Sequence, residues 1–506
     1  MLAKSYLNTL SSSLALFWKK APALEISFYL LIGASFALTH FWITLIVGSI
    51  FIYLKTYQLM SGKNHFLIQT TLLCTLGYGY MLHFKPPLIT TAVKGSGVIK
   101  ILEKRPTVFF GRSSIYYKAL LTCFETEDHI VYKNIPCTLR LKPKNAYEAN
   151  KDLVLHHITL APTASGLYQL KLDKDSQISP IKNSFSLAEH RYKWKLKVTK
   201  HLNHYIKESK TLKLLTALSV GYLDNKTLNY EFSKLGLQHL LTISGFHFAL
   251  LALFFSWILQ PLLPKKAKCL ILILLLGTYM LYLGPAPSVS RAWIGVLIYL
   301  IGDFFDIASS GLNALGIACL CSFLIDPLCI TQIGFQLSYS ATLGIVAFYA
   351  PCEKLLCYLT PKRSLIELVQ MPMYQSLLTG VLNFLRKGLA LDLAVNLLTG
   401  PLLFFHFGSY PLMSFFYNLF IPVLISFSLL LLLVAYFFAW ISPLCGWIHH
   451  INEVYTSHIL TLIATSPKAL DISIHLPFIS YELCIATLCT VTLSMVFLSF
   501  RTKELS

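Results

Sequence analysis

Residues 235–260 read LGLQHLLTISGFHFALLALFFSWILQ. The run is long and almost wholly apolar, the kind of segment that crosses a hydrocarbon layer about 30 Å thick as a helix of about 20 residues. It nevertheless holds His239, Ser244, Gly245 and His247, and polar groups at such a depth are costly enough that each is a functional candidate. The rest of the chain repeats the pattern. Spans are expected at residues 236–260, 267–284, 289–303, 310–325, 331–350, 388–407, 412–440 and 478–500, and residues 444–466 form either another span or a surface helix. Nearer the N-terminus, residues 24–54 make one tilted helix or a hairpin turning near Thr39 and His40, and residues 66–84 a further span. The 506 residues are 55% hydrophobic and 13% charged, with a mean hydropathy of +0.62. A soluble domain carries about 25% charged residues and could not bury so many apolar runs. The fold class expected is therefore a polytopic α-helical membrane protein.

Between residues 85 and 205 the character changes. No apolar run there is long enough to span, and short β segments are expected at 92–102, 107–110, 114–124, 130–132, 137–141, 157–160 and 166–172, separated by turns rich in Lys, Pro and Asn. Several short strands in about 100 residues suggest a small inserted barrel or sandwich. If Lys19, Lys20, Lys55 and Lys63 all lie on the cytoplasmic side, the first apolar run is a hairpin and residue 85 emerges outside. The formal net charge of the chain is +19, and within this extracytoplasmic stretch Lys and Arg outnumber Asp and Glu about two to one. A positive-inside bias does not place basic residues there, which favours an anionic partner. Residues 191–213 alternate basic and apolar side chains, as an interfacial helix or a solvated helix face would. The domains expected are 1–84, N-terminal membrane helices; 85–205, the basic β-rich insert; 206–235, an amphipathic or interfacial helix; 236–440, the main membrane domain; and 441–506, C-terminal membrane helices.

Three interruptions stand out in the main domain: Ser244-Gly245, the stretch from Gly284 to Pro287, and Gly400-Pro401. Broken helices at membrane depth expose backbone that must line a cavity or be buried in protein, and in transporters they mark the pathway. On a continuous helix His239 and His247 would share a face, with Ser244 one turn before His247. That strip lines a pore or makes a small-residue helix contact. Arg291 either snorkels to the surface or points into a wet cavity, where it would meet phosphate. Gln336, Ser338, His406 and Asn418 complete the polar set. Asp303, Asp306 and Asp326 sit near span ends and are expected at the interface.

The sequence contains no P-loop, GxSxG or HExxH motif. No acid stands at a spacing that would complete a triad with Ser244 and a histidine, so an enzyme is not expected, nor any cofactor. Most of the 12 cysteines lie in apolar runs and read as small buried hydrophobes, with no zinc-like spacing and no metal expected. Cys123 and Cys137 fall in the polar insert, where a disulfide between them is conceivable in an oxidising compartment.

The motifs resemble those of the ComEC family of competence proteins. Leu235-Gly-Leu-Gln-His239-Leu-Leu-Thr-Ile-Ser244-Gly245-Phe-His247, Pro287-Ser-Val-Ser-Arg291-Ala292, Gly334-Phe-Gln-Leu-Ser338, and Pro401 through His406, Gly408, Asn418 and Pro422 follow in the family's order. The resemblance covers residues 210–430 well and the N-terminal part by layout. It implies an OB-like domain outside the membrane, matching the insert in position and size. Tyr116, Tyr117, Phe124 and Tyr132 are candidates there for stacking on bases. It implies a bacterial inner-membrane channel that passes single-stranded DNA inward. His239, Ser244, His247, Arg291, Gln336, Ser338, His406 and Asn418 would lie on the path, and a separate uptake receptor, nuclease and cytoplasmic motor would work beside it. Phe246 and Phe248 stand where the family carries smaller or aliphatic residues. The C-terminal metallo-β-lactamase-like domain of many relatives is not found before Ser506, so a separate nuclease is expected. Two alternatives remain open: a transporter of a smaller anionic or lipid-linked substrate, and a DNA receptor without a pore.

Overall fold

The computed structural model describes residues 18–39, 65–85, 87, 89–109, 112–163, 168–183, 185–222, 225–243, 245–284, 286–307, 310–359, 363, 367, 370–466, 472–476 and 479–504. The chain folds as two compact units. One comprises Met1–Phe84, Thr227–Gly277 and Pro285–Ser506, the other Lys85–Lys226 and Thr278–Gly284.

The first helices are α1 (Pro22–Thr39) and α2 (His65–Phe84). The turn expected near Thr39-His40 falls at the edge of the described residues, and the second half of that apolar run lies outside them. A Cβ on Gly33 would strike the backbone of Cys74, and one on Gly77 the backbone of Leu30. These two glycines let α1 and α2 pack backbone to backbone, as small residues do at close helix contacts.

Among its described residues the insert holds five strands, β1 (Val93–Phe109), β2 (Arg112–Thr126), β3 (Val131–Leu141), β4 (Lys151–Pro162) and β5 (Tyr168–Asn183). They close into a barrel in the order β1-β2-β3-β5-β4. The seven short segments expected from the sequence merge into five: β1 runs on through Lys104–Pro106 and β3 through Lys133–Pro136, each in continuous register with β2. β1 shifts register between Val98 and Ile99 and again between Ile101 and Glu103, bends that let one strand wrap a small barrel. The core is filled by the inward residues, among them Ile99, Leu121, Phe124, Ile135, Leu139, Leu155 and Leu160. Helix α3 (Leu187–Tyr205) then packs on β1. Its Glu189 carboxylate accepts from Lys104 Nζ at 3.1 Å and from the Ala149 N–H at 2.8 Å, all three groups buried.

The single amphipathic helix expected over 206–235 is two helices, α4 (Ser209–Val220) and α5 (Lys226–Lys234). Gly221, in the left-handed region at φ 86°, caps α4. The unit boundary therefore falls at Lys226 rather than at residue 205.

The remaining helices are α6 (Gly245–Leu259), α7 (Lys265–Leu283), α8 (Pro287–Phe304), α9 (Gly311–Ile325), α10 (Ile333–Cys357), α11 (Met373–Phe407), α12 (Ser414–Phe437), α13 (Ser442–Ala464) and α14 (Tyr481–Glu504). Between α11 and α14, β6 (Ser409–Pro411) pairs with β7 (Ser473–His475). Among the described residues four helices, α7, α10, α11 and α12, are long and apolar enough to cross a membrane. Large apolar side chains face outward: Leu274 is 63% exposed, Trp257 76% and Trp440 80%.

Two interruptions differ from expectation. The break at the head of α6 comes earlier, through a 3-10 turn at Gln238–Leu241 followed by extended Thr242, so His239 and His247 are not on one helix and share no face. Gly400-Pro401 makes no break. α11 runs through Pro401 for 35 residues, about 52 Å at 1.5 Å per residue, well beyond a single hydrocarbon thickness. The break at Gly284–Pro287 is present: Gly284 has φ 99°, and Pro287 opens α8 at its first turn, where a missing N–H costs nothing.

Candidate functional site

In the insert, the antiparallel register sets the outer face. Arg105 on β1 lies directly opposite Tyr116 on β2, and Tyr116 directly opposite Arg140 on β3. Strand alternation turns the flanking Ile115, Tyr117, Leu139 and Leu141 inward and leaves this row on the outside. The Arg105 guanidinium sits 4.4 Å from the Tyr116 ring centroid and that of Arg140 5.9 Å. The next row places Glu103, Lys118 and Thr138 side by side. Of the four aromatic candidates, Tyr117 and Phe124 are fully buried, and the Tyr117 hydroxyl donates to Tyr147 O at 2.9 Å. Tyr116 and Tyr132 are half-buried and remain available for stacking.

Positive charge crowds the same side of the barrel. Lys195 on α3, buried with its amine donating to Leu283 O at 2.8 Å, is pushed down to about 8. Burial is the main cause, Arg191 and Arg105 add repulsion, and Glu103 opposes the shift. Burial also lowers Arg191, whose Nε makes no hydrogen bond among the described residues. A cluster of cations that disfavour one another is relieved by an anion.

No disulfide joins Cys123 and Cys137; both are free thiols. Cys123 pairs across the ladder with Lys133, and Cys137 with Ala119. Cys137 thus stands four residues beyond the partner of Cys123, about 13 Å at strand spacing, too far for a bridge. Cys123 is exposed and Cys137 lies in the barrel core, so they also face opposite ways.

The helical unit brings its polar residues together in pairs. Arg291 Nε on α8 donates to Ser338 Oγ on α10 at 2.8 Å, and its guanidinium is the nearest group to the space a Cβ on Gly245 would take, at 3.4 Å. His406 Nε2 on α11 meets Gln336 Oε1 on α10 at 2.7 Å, while Gln336 Nε2 donates to Ile330 O at 2.9 Å. Gln336 and Ser338 are two apart on α10, so the two pairs leave that helix on different sides. Asn418 on α12 donates from Nδ2 to Asp392 Oδ1 on α11 at 3.1 Å. Asp392 is 14 residues before His406 on the same helix, about 21 Å away along the axis. His247 is buried in the first turn of α6, His239 is exposed in the 3-10 turn, and Ser244 lies outside the described residues. The expected single polar strip is thus three separate interhelical contacts. Asp392 and its neighbour Asn396 escaped the sequence reading, although an ionisable residue inside a long apolar run was signal enough.

The sequence matches the model of the family described as Competence protein over residues 222–501, the part of the chain that carries the four motifs. ComE operon protein 3 of Bacillus subtilis (strain 168) is 25% identical over 324 residues, which cover 60% of this chain and 38% of that protein. The chain therefore spans well under half the length of that curated relative. No solved structure matches.

Proposed function

This chain belongs to the Competence protein family, and from that membership we propose that it sits in the inner membrane of a bacterium and takes part in the inward transport of single-stranded DNA, with no catalytic step of its own. The helices that are long and apolar enough to cross a membrane, together with the outward-facing Leu274, Trp257 and Trp440, support the membrane location. An apolar surface of that extent is unstable in water.

The observation that carries the DNA reading is the row Arg105–Tyr116–Arg140 across β1, β2 and β3. Its barrel has the five strands of an OB-fold, and OB-folds bind oligonucleotides on the face of strands 2 and 3. A cationic groove with an aromatic platform suits a single strand because phosphates meet the arginines and any base can stack. On this reading the insert is OB-like, extracytoplasmic and the first point of DNA contact. Arg291, with its guanidinium beside Gly245, is the phosphate partner within the helical unit.

The separate pairing of Arg291 with Ser338 and of Gln336 with His406 favours one rival, a membrane DNA receptor with no passage of its own. The two readings part on Arg291→Ala. A channel loses import while keeping DNA binding, whereas a receptor keeps both.

Binding of a labelled oligonucleotide to the full chain in lipid nanodiscs, across a salt series, tests the barrel face. Tyr116→Ala is expected to cost about 1–3 kcal/mol of single-strand affinity. Arg105→Gln with Arg140→Gln is expected to flatten the logarithmic salt slope by about 1.4, roughly 0.7 per phosphate contact. Affinity and slope unchanged in both variants would remove this face from the account.

A further inference from the structure

The helical unit holds one buried carboxylate whose environment is incomplete in a specific way. Asp392 is 8% exposed, at the centre of α11. Its Oδ1 accepts from Asn418 Nδ2 at 3.1 Å. Its Oδ2 and Asn418 Oδ1 are both buried, and neither has a hydrogen-bond partner among the described residues. Two acceptors belonging to side chains already joined by one hydrogen bond thus make no second one, and the amide of Asn396, one turn on, donates from Nδ2 to the Asp392 backbone carbonyl at 2.9 Å. Packing holds them in place, since a Cβ on Gly388 would collide with Leu419, which puts the same faces of α11 and α12 together one turn away.

A single hydrogen on Asp392 Oδ2 resolves both orphans. A protonated carboxyl has an O–H to donate, and Asn418 Oδ1, on the amide that already donates to Asp392, is a buried acceptor without a partner among the described residues. The result is a cyclic acid–amide pair with two hydrogen bonds, N–H to O and O–H to O. It also leaves no net charge between two helices long and apolar enough to cross a membrane, where an isolated carboxylate is expensive.

We propose that Asp392 and Asn418 form a proton-binding site that links α11 to α12. A proton adds to Asp392 Oδ2 and closes the second hydrogen bond. Its departure to water breaks that bond and leaves a carboxylate between the helices, so the two states favour different α11–α12 contacts. Among the described residues no ion pair with Asp392 is present. Tyr410 of β6 lies within electrostatic reach of Asp392 and is neutral at physiological pH. α12 brings Tyr417, and α14 brings Cys484 and Cys489. α10 runs antiparallel, with Gly344 against Ala394 and Phe348 and Cys352 near Ala390. Its Tyr349 lies on that stretch, and its Glu353 and Lys354 are about 13 Å or more along the axis from Gly344. On α11 itself Arg386 and Lys387 are five or six residues away, about 8–9 Å along the axis.

The proposal rests on the membrane reading of α11 and α12 and not on the DNA reading, so its test contains no DNA. Infrared difference spectra between acid and alkaline pH are recorded on the full chain in nanodiscs. The wild type is expected to show the carbonyl stretch of a protonated carboxylic acid that shifts in heavy water and is absent from Asp392→Asn. That variant keeps the shape of the protonated acid and can still pair with Asn418, so it is expected to fold. Asn418→Leu is expected to keep the band at higher frequency, as an acid that has lost its partner. A wild-type spectrum identical to that of Asp392→Asn, or a band unmoved by Asn418→Leu, would overturn the pair. A band that titrates with sodium at fixed pH would replace the proton with a sodium ion and overturn the proposal equally.

Discussion

Glu189→Ala separates α3 from the barrel in a way whose size follows from the contacts it breaks. The Glu189 and Lys104 side chains are 6% and 7% exposed, with 3.1 Å between Oε2 and Nζ. The same oxygen accepts the Ala149 N–H at 2.8 Å, and Lys193 lies 3.8 Å from the other. Removing the carboxylate leaves a buried ammonium without its partner and a buried N–H without an acceptor. Breaking one side of a buried pair costs about 3–5 kcal/mol. At 1.4 kcal/mol per tenfold, that is an opening roughly 10²- to 10⁴-fold more frequent. Hydrogen exchange at the Ala149 amide, read by mass spectrometry on the full chain, reports it directly because that amide is one of the broken bonds. The apolar pair Glu189→Leu with Lys104→Met is expected to recover much of the lost stability in denaturant titrations, since replacing both partners avoids the stranded charge, while the Ala149 amide, still without its acceptor, stays unprotected. Exchange accelerated less than tenfold in Glu189→Ala, or a double variant no more stable than the single, would refute the reasoning.

Three further outcomes are expected. Because Lys195 is 7% exposed and pushed down to about 8 from 10.5, the folded state binds fewer protons than the unfolded one between those values. Stability therefore rises with pH across that window and is lowest below it, by about 3–4 kcal/mol at about 1.4 kcal/mol per pH unit; the difference between wild type and Lys195→Met in denaturant titrations at pH 7.5 and 10.5 measures it. Gly344→Leu drives a side chain into the Ala394 backbone and is expected to cost at least about 1–3 kcal/mol as overpacking, seen as a lower Tm in detergent, while Gly334→Ala, with open space at its Cβ, leaves Tm unchanged. A maleimide is expected to label exposed Cys123 in the native protein and to spare Cys137, whose buried thiol is pushed up to about 12; equal labelling at both would contradict the barrel register.

What could be read from the sequence was whatever is local. Apolar length marks α7, α10 and α12 without any partner, and Pro287 marks the start of α8 because its chemistry acts on its own backbone. Pro401 misled for the complementary reason. The carbonyl that its missing N–H frees is that of Leu397, four residues earlier, and in a packed apolar setting the surroundings take up such groups through packing that the sequence of α11 does not show. The strands merged because pairing with β2 carries β1 through Pro106 and β3 through Pro136, and pairing is a property of a ladder and not of a strand. The row Arg105–Tyr116–Arg140 is non-local in the same sense, since three residues far apart in the chain become neighbours only once two registers are set. The histidine strip failed on a single extended residue, Thr242, which ended the helical spacing that joined His239 to His247. Asp392 was legible as a costly group but not as a site, because its meaning depends on Asn418 across a helix interface.

The most direct test of the account is delivery of a labelled DNA strand into the cytosol of competent cells that lack this protein, complemented with the wild type, with Arg105→Gln and Arg140→Gln together, or with Arg291→Ala. The account predicts that the wild type restores internal label, that the barrel variant lowers label bound at the surface and inside alike, and that Arg291→Ala keeps surface label but loses the internal strand. Normal internal label in both variants, at wild-type protein levels, would contradict it.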